Sequence, residues 1–257
     1  MAGTRRKQPD KGTLRKSLYN KVAHDLGQRI VRGEYKPGEL LPNEAECGQI
    51  YKVSRTAVRE AVKMLSAKGL IQSRPKIGSR VEPRSSWNLL DRDVISWYCT
   101  TVDFQSFAHD VQQIRFMIEP EAAALAALNR TPQQLIEIDE AYRAMADGVD
   151  DEAAWNAADV QFHVAILWAA GNELLVPFGF LIESALGTMF DFTVRHNQTW
   201  REAYPLHENI VIAIRKRRPE AARKAVRALL ADTGAVLAQQ AREASREKRR
   251  AKPKVKK

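Results

Sequence analysis

The chain is poor in cysteine, with only Cys47 and Cys99 among its 257 residues. We expect the two in different domains; they show no metal-site spacing, which fits a reducing cytoplasm. A membrane span is not expected, because polar or helix-breaking residues interrupt the most apolar stretch, 164–190. These are Asn172, Glu173, Pro177 and Glu183. The start of the chain is basic and polar, so no signal peptide is expected.

The net charge of +10 is unevenly distributed along the chain. Residues 1–16 carry +5, 17–83 carry +5, 84–241 carry −7 and 242–257 carry +7. The cationic excess near the N-terminus favours contact with nucleic-acid phosphates. Both ends, 1–12 and 242–257, lack apolar periodicity and are predicted to be disordered basic tails. They either add nonspecific attraction to DNA or keep the protein soluble.

The sequence pattern of residues 13–82 predicts a winged helix-turn-helix. Leu18, Val22, Leu26 and Ile30 recur every four residues in a helix that ends at Gly33. A short second helix follows Pro42 and Asn43, and a third opens at Ser54, a good N-cap residue. Gly69 ends the third helix, and two short strands then flank the turn sequence PKIG.

The third helix has one apolar and one cationic face. The apolar face holds Val58, Ala61, Val62 and Leu65. The opposite face holds Arg55, Thr56, Arg59, Lys63 and Ser66. Such a helix suits the major groove of DNA, where arginine can bind the O6 and N7 atoms of guanine. The alternative is a solvated basic face on an ordinary helix.

The hairpin adds basic groups beside this helix, which favours the DNA-binding interpretation. Arg74, Lys76 and Arg80 can reach phosphates or the minor groove, and Gly78 allows close approach of the backbone.

Residues 83–92 are predicted as a linker, and 93–241 as an all-α domain of six or seven helices. The stripe Val111, Ile114, Ile118, Ala122, Leu125 and the capping box that starts at Thr131 belong to this domain. The fold class is therefore mainly α, with an N-terminal winged helix-turn-helix followed by a helical bundle.

Asp159 and His163 stand one helical turn apart, and His207 starts a later helix. Carboxylate and imidazole ligands suit a divalent ion such as zinc, nickel or manganese. Alternatively, Asp159 only accepts a hydrogen bond from His163 in a buried polar patch.

Arg115 lies on or beside the apolar stripe, where a guanidinium needs a partner. Either Glu119 supplies it, or Arg115 grips the carboxylate of a small acid through a bidentate fork. Residues 195–200, RHNQTW, are either an exposed loop or the polar wall of a ligand pocket.

The sequence PGELLPNEAECGQIYKVSRTAVREAVKMLSAKGLI resembles the GntR family of bacterial transcription regulators. The resemblance implies base and phosphate contacts by Arg55 and Arg59, with Thr56 beside them and the wing tip at residues 76–78. Where several members carry arginine, this chain has Ala45, which implies that one base contact is missing.

The stretches RFMIEPEAAALAA, DVQFHVAILWAAGN and HENIVIAIRKRRPEAARKAV resemble the FCD effector domain of the FadR-type branch. The resemblance implies an organic acid at Arg115 and a metal ion at Asp159, His163 and His207. A further histidine is implied at position 229, where this chain has Leu229.

The segment SSWNLLDRDVISWY, together with Leu229 and Thr199-Trp200, resembles the sugar-acid regulators, especially galactonate-responsive repressors. This implies a polyhydroxylated acid whose hydroxyl groups contact Asn197, Gln198 and Thr199, with Trp200 stacked on it.

These observations predict a homodimeric repressor of a catabolic operon, which binds a palindromic DNA operator and responds to a small carboxylate. Two recognition helices are needed because one reads few bases. A DNA-binding dimer without an effector is the alternative. A metal-dependent hydrolase is a further hypothesis, but there is no HExxH motif and a winged helix would be unexplained.

Overall fold

The computed structural model describes the backbone of residues 11–148, 150–193 and 199–251. It does not describe the side chains of 11–17, 104, 185–193, 199–201, 240–241 and 243–251. The chain divides into two compact units, Met1–Thr101 and Val102–Lys257.

In its described part, the N-terminal unit contains four α-helices and a two-stranded wing. Its elements are α1 (Lys11–Val31), α2 (Glu44–Tyr51), α3 (Arg55–Ala67), β1 (Ile71–Arg74), β2 (Gly78–Val81) and α4 (Arg92–Cys99). Asn43 caps α2 in a capping box with Glu46, and Ser54 caps α3. The strands pair antiparallel, with Ile71 opposite Val81. The predicted winged helix-turn-helix is confirmed.

The core of this unit is formed largely by the apolar faces that the sequence pattern indicates, but Leu18 of the α1 stripe is 41% exposed. Val22, Leu26 and Ile30 from α1 are at most 1% exposed, and Val58 and Leu65 from α3 are fully buried. Together they bury the inner face of α3 and leave its other face to solvent.

Helix α4 belongs to the N-terminal unit. Its Trp97 is buried, and the indole nitrogen donates a hydrogen bond to Nδ1 of His24 on α1 (3.0 Å). Lys68 at the end of α3 forms ion pairs with Asp91 (2.6 Å) and Asp93 (2.8 Å). The boundary between the two compact units therefore follows Thr101, whereas the sequence pattern places the start of the helical domain at residue 93.

Both cysteines are buried and free, and both lie in the N-terminal unit. Placing Cys99 in the second domain was wrong, because it lies on α4. None of the described helices is long and apolar enough to cross a membrane.

In its described part the C-terminal unit is helical throughout. Its helices are α5 (Phe104–Asn129), α6 (Pro132–Asp147), α7 (Glu152–Ala169), α8 (Val176–Thr193), α9 (Thr199–Arg215) and α10 (Pro219–Ala251). Thr131 forms the expected capping box with Gln134, and Asp151 caps α7. Helix α5 packs on α7 and α10, and α6 packs on α7 and α9, around one apolar core.

Helix α10 continues to Ala251, ten residues into the stretch that was predicted to be a disordered tail. The sequence REASREKRRA has no apolar stripe, but it is rich in arginine, alanine and glutamate, and the first helix-breaking residue after it is Pro253. Residues with high helix propensity extend a helix that packing has already nucleated.

Candidate functional sites

The exposed face of α3 carries the predicted cationic residues. Ser54 Oγ accepts a hydrogen bond from the backbone N–H of Ala57 (3.3 Å) and so fixes the start of the helix. The exposed residues that follow are Arg55, Thr56, Arg59 and Lys63. Ser66 was expected on the same face, but its hydroxyl donates to the carbonyl of Ile71 and closes the junction with the wing.

The cations of α3 differ in their partners. Nε of Arg59 donates to both carboxylate oxygens of Glu44 on α2 (2.8 and 3.0 Å). Lys63 pairs with Glu60 one turn away (2.8 Å). Arg55 has no side-chain partner among the residues that the structure describes. The face therefore combines a free guanidinium with one held in place.

The wing tip has the backbone conformation that the turn sequence indicates. Lys76 has a φ of 63° and Gly78 a φ of 108°, which turn the chain sharply between the strands. Lys76 is exposed, and Nε of Arg74 donates to Gln72 (3.0 Å). Arg80 donates to the carbonyl of Gly38, so its guanidinium ties β2 to the α1–α2 turn.

In the C-terminal unit, Asp159 and His163 on α7 lie beside His207 on α9. The ligand atoms that these three residues offer lie within 4.8 Å of one another. Nε2 of His207 is 2.9 Å from Oδ1 of Asp159, and Nε2 of His163 is 3.6 Å from the same oxygen. Both histidines are buried.

Both ring nitrogens of His207 lie close to oxygen acceptors. Its Nδ1 lies 2.9 Å from the carbonyl oxygen of Ala203, and its Nε2 lies 2.9 Å from Asp159. A neutral imidazole can donate at only one nitrogen, so one contact would bring two acceptors together. With Nδ1 donating to Ala203, the lone pair of Nε2 faces Asp159, and a cation bound between them would remove this conflict.

Arg115 forms the pairing with Glu119 that was one of the two alternatives for it. It is 2% exposed, and its Nε donates to Oε1 of Glu119 (2.5 Å). Its Nη2 lies 3.1 Å from Nε2 of His163, so Arg115 adjoins the three candidate ligands. Burial raises the pKa of Glu119, but Arg115 and His163 outweigh this and lower it to about 2.

His163 links the ion pair to Asp159. Its Nδ1 lies 2.7 Å from Oε2 of Glu119. Burial lowers the pKa of His163, but the Glu119 and Asp159 carboxylates outweigh this and raise it to about 9. The pKa of Asp159, which burial alone would raise, is held well below its usual range by His163 and His207. His163 therefore joins the two carboxylates of the cluster, Glu119 and Asp159.

The cluster fits a divalent ion held by three protein ligands. Two imidazole nitrogens and one carboxylate oxygen are a common set for zinc and related ions, with a remaining position open to water or to a ligand. Leu229, at the position of the further histidine, is 2% exposed within the apolar core. Because a leucine side chain has no nitrogen, oxygen or sulfur atom, it supplies no fourth ligand.

Gln112 is a buried polar residue that the sequence analysis did not single out. It lies on α5 one turn before Arg115, and its Nε2 donates to the carbonyl of Leu230 (2.5 Å). Its Oε1 is buried and has no partner within the described part of the chain. In the sequence, the signal for this residue is an amide side chain inside the apolar stripe of α5.

The predicted polar wall falls largely outside the described residues. Asn197 lies outside them altogether. Of Thr199 and Trp200 the structure describes only the backbone, in the first turn of α9.

Comparisons with known proteins agree with this two-part organisation. Residues 18–81 match the model of the bacterial regulatory proteins of the gntR family, and residues 110–232 match that of the FCD domain. Two solved structures show the same fold. They are a Streptococcus agalactiae GntR protein (TM-score 0.50, 23% identity, 84% of this chain and 98% of that chain) and the Lar protein, described as controlling the Listeria monocytogenes agr system (TM-score 0.57, 18% identity, 91% and 99%).

Three relatives match over most of their length. The HTH-type transcriptional regulator YieP of Escherichia coli is 38% identical over 84% of this chain and 93% of its own length. The galactonate operon transcriptional repressor of Escherichia coli is 32% identical (86% and 96%), and the HTH-type transcriptional repressor NanR of Cronobacter sakazakii is 30% identical (82% and 82%). These relatives are transcription regulators and not enzymes, so the hydrolase hypothesis is wrong. The chain belongs to the GntR family of DNA-binding transcription regulators and joins a GntR-type winged helix to an FCD domain.

Proposed function

We propose that this regulator is a homodimeric, cytoplasmic repressor that binds a palindromic operator through α3 and the wing. The observation that carries the proposal is the exposed row of Arg55, Thr56, Arg59 and Lys63 on a helix whose other side is buried. In this arrangement Ser54, Arg74, Lys76 and Gly78 complete the contact surface. Two copies related by a twofold axis read two half-sites.

We further propose that the FCD domain binds a small carboxylate, and that a sugar acid is the class to test first. The name of the galactonate operon repressor supports this class, and the buried guanidinium of Arg115 supports recognition of an acid. Nε and Nη2 of Arg115 are already engaged by Glu119 and His163, so an incoming carboxylate would use Nη1. Asn197, Thr199 and Trp200 are proposed to contact the rest of the effector.

Asp159, His163 and His207 are proposed to hold a divalent ion next to Arg115. When bound, the ion would supply a positive charge and an open coordination position for an effector oxygen. Arg115 would orient the same carboxylate, and Glu119 would hold Arg115 and His163 in place.

Effector binding must then change operator affinity through a coupling free energy, which is typically about 1–3 kcal/mol. The effector must therefore bind one conformation of the dimer more tightly than the other. The effector releases DNA if it prefers the conformation that binds DNA weakly, and promotes binding if it prefers the other.

A dimer without an effector is the second candidate. The ion pair with Glu119 satisfies Arg115 without any ligand, and Leu229 removes one implied metal ligand. In this case the helical domain would serve only to dimerise.

Band shifts separate these candidates. The wild-type protein first selects a duplex from randomised oligonucleotides, and that duplex is then titrated with galactonate, gluconate and other small organic acids, with and without a chelator. A change in operator affinity of about 5–150-fold supports the effector proposal. Selection of a palindrome whose affinity responds to none of these acids supports the second candidate. Failure to select any sequence would contradict the proposed operator recognition.

A further inference from the structure

The ion pair between Glu44 and Arg59 crosses from the first residue of α2 to the exposed face of α3. Nε of Arg59 donates to both carboxylate oxygens of Glu44. The side chain of Arg59 is 64% exposed and that of Glu44 is 44% exposed. The terminal nitrogens of Arg59 have no partner among the described residues and remain free for DNA. These nitrogens form the fork that binds guanine O6 and N7 or a phosphate.

We propose that Glu44 is a positioning residue that makes Arg59 read bases rather than phosphates. The inference rests on the proposed operator binding. A long arginine side chain loses rotamer freedom when it binds, and a side chain already held at Nε loses less. The carboxylate also cancels much of the charge of Arg59, so its attraction to any nearby phosphate is weaker. Both effects favour the geometrically specific contact over the nonspecific one.

Arg55 provides the contrast within the same helix. It lies one turn before Arg59 and has no partner in the described part of the structure, so it keeps its full charge and its freedom. Such a residue suits phosphate contact, which tolerates varied geometry. The structure thus assigns different roles to two arginines that the sequence pattern treats alike.

Glu60 offers a matched control for the test. It lies on α3 next to Arg59 and pairs with Lys63 (2.8 Å) in an exposed ion pair. Glu60→Gln removes one negative charge from the same surface without touching an arginine. A purely electrostatic role of Glu44 would therefore be reproduced by Glu60→Gln.

The experiment measures the affinity of the full-length protein for two duplexes by fluorescence anisotropy at several salt concentrations. One duplex is selected by the wild-type protein from randomised oligonucleotides, and the other is its scrambled version. For Glu44→Gln we expect the ratio of selected to scrambled affinity to fall about tenfold. We also expect the scrambled duplex to bind more tightly, with a salt slope steeper by about one. For Glu60→Gln the two affinities should rise together and the ratio should stay constant.

A double-mutant cycle with Arg59→Lys tests whether Glu44 acts through Arg59. Lysine keeps the charge but lacks the fork, so Glu44→Gln should leave the ratio unchanged in that background. Thermal unfolding of each variant separates these effects from a loss of folding. An unchanged ratio in Glu44→Gln, while the wild-type protein still selects its duplex, would overturn the inference alone. If the wild-type protein selects no duplex, the proposed operator recognition fails and the inference fails with it.

Discussion

The indole ring of Trp97 lies directly against the backbone of Gly27, because a Cβ atom on Gly27 would fall 2.2 Å from Cζ3 of Trp97. The indole N–H of Trp97 also donates a hydrogen bond to His24, which lies on α1 together with Gly27. Helix α4 is therefore fixed to α1 at two adjacent points. These contacts make the segment after the wing part of the DNA-binding unit.

Gly27→Ala should therefore destabilise the N-terminal unit, although alanine raises helix propensity. Propensity alone would add about 1 kcal/mol, whereas overpacking costs about 1–3 kcal/mol. Urea unfolding of Gly27→Ala should show lower stability than wild type. The same substitution in a Trp97→Ala background should be neutral or stabilising. Equal effects in both backgrounds would show that Trp97 does not occupy this space.

Removal of one member of the Arg115–Glu119 pair should be more damaging than replacement of both. Arg115→Met leaves a buried carboxylate beside His163 and should lower the free energy of unfolding by about 3–5 kcal/mol. The double variant Arg115→Met, Glu119→Gln should recover part of this loss. Chemical denaturation checks the comparison, and strictly additive losses would contradict a direct ion pair.

The same pair should contribute to acid sensitivity. The pKa of Glu119 is lowered to about 2, so its ionised form stabilises the fold above its ordinary value of 4.5. That contribution should disappear as the pH falls from about 4.5 towards 2. The difference in unfolding free energy between wild type and Glu119→Gln should therefore shrink over this range. A difference that does not change with pH would exclude the lowered pKa.

Metal affinity should depend on Asp159, His163 and His207, and it should rise when a histidine is placed at position 229. Asp159→Asn and His207→Ala should each weaken zinc or manganese binding at least about tenfold, since even residues outside the ligand shell contribute about 10–100-fold. Leu229→His should tighten binding, and Leu229→Gln serves as the control for polarity in the core. Isothermal titration calorimetry measures each affinity. No binding by wild type or by Leu229→His would rule out the proposed site.

The wing should strengthen DNA binding through its positive charge and should not distinguish one DNA sequence from another. Lys76→Ala should weaken binding to selected and scrambled duplexes alike and reduce the salt slope by about one. Arg59→Ala should instead weaken the selected duplex more. Anisotropy titrations over a salt series measure both effects. A loss confined to the selected duplex in Lys76→Ala would show that the wing reads bases.

Local patterns predicted most of the N-terminal fold and the placement of several candidate site residues. The caps at Asn43 and Ser54, the glycine turns and the two-faced α3 depend on residues within a few positions of one another. Asp159, His163 and His207 were also named from the sequence as candidate metal ligands, and the structure brings them together. The extent of α10 was not, because a helix without an apolar stripe gives no periodic signal.

The sequence by itself determined the winged helix, the helical second domain and the residue types on the exposed face of α3, since caps, periodicity and turns act over short distances. Only the tertiary structure decided that Glu44 holds Arg59, that Arg115 lies against His163, and that α4 packs on Gly27. Those contacts join residues 15 to 70 positions apart, and their partners depend on how whole helices pack.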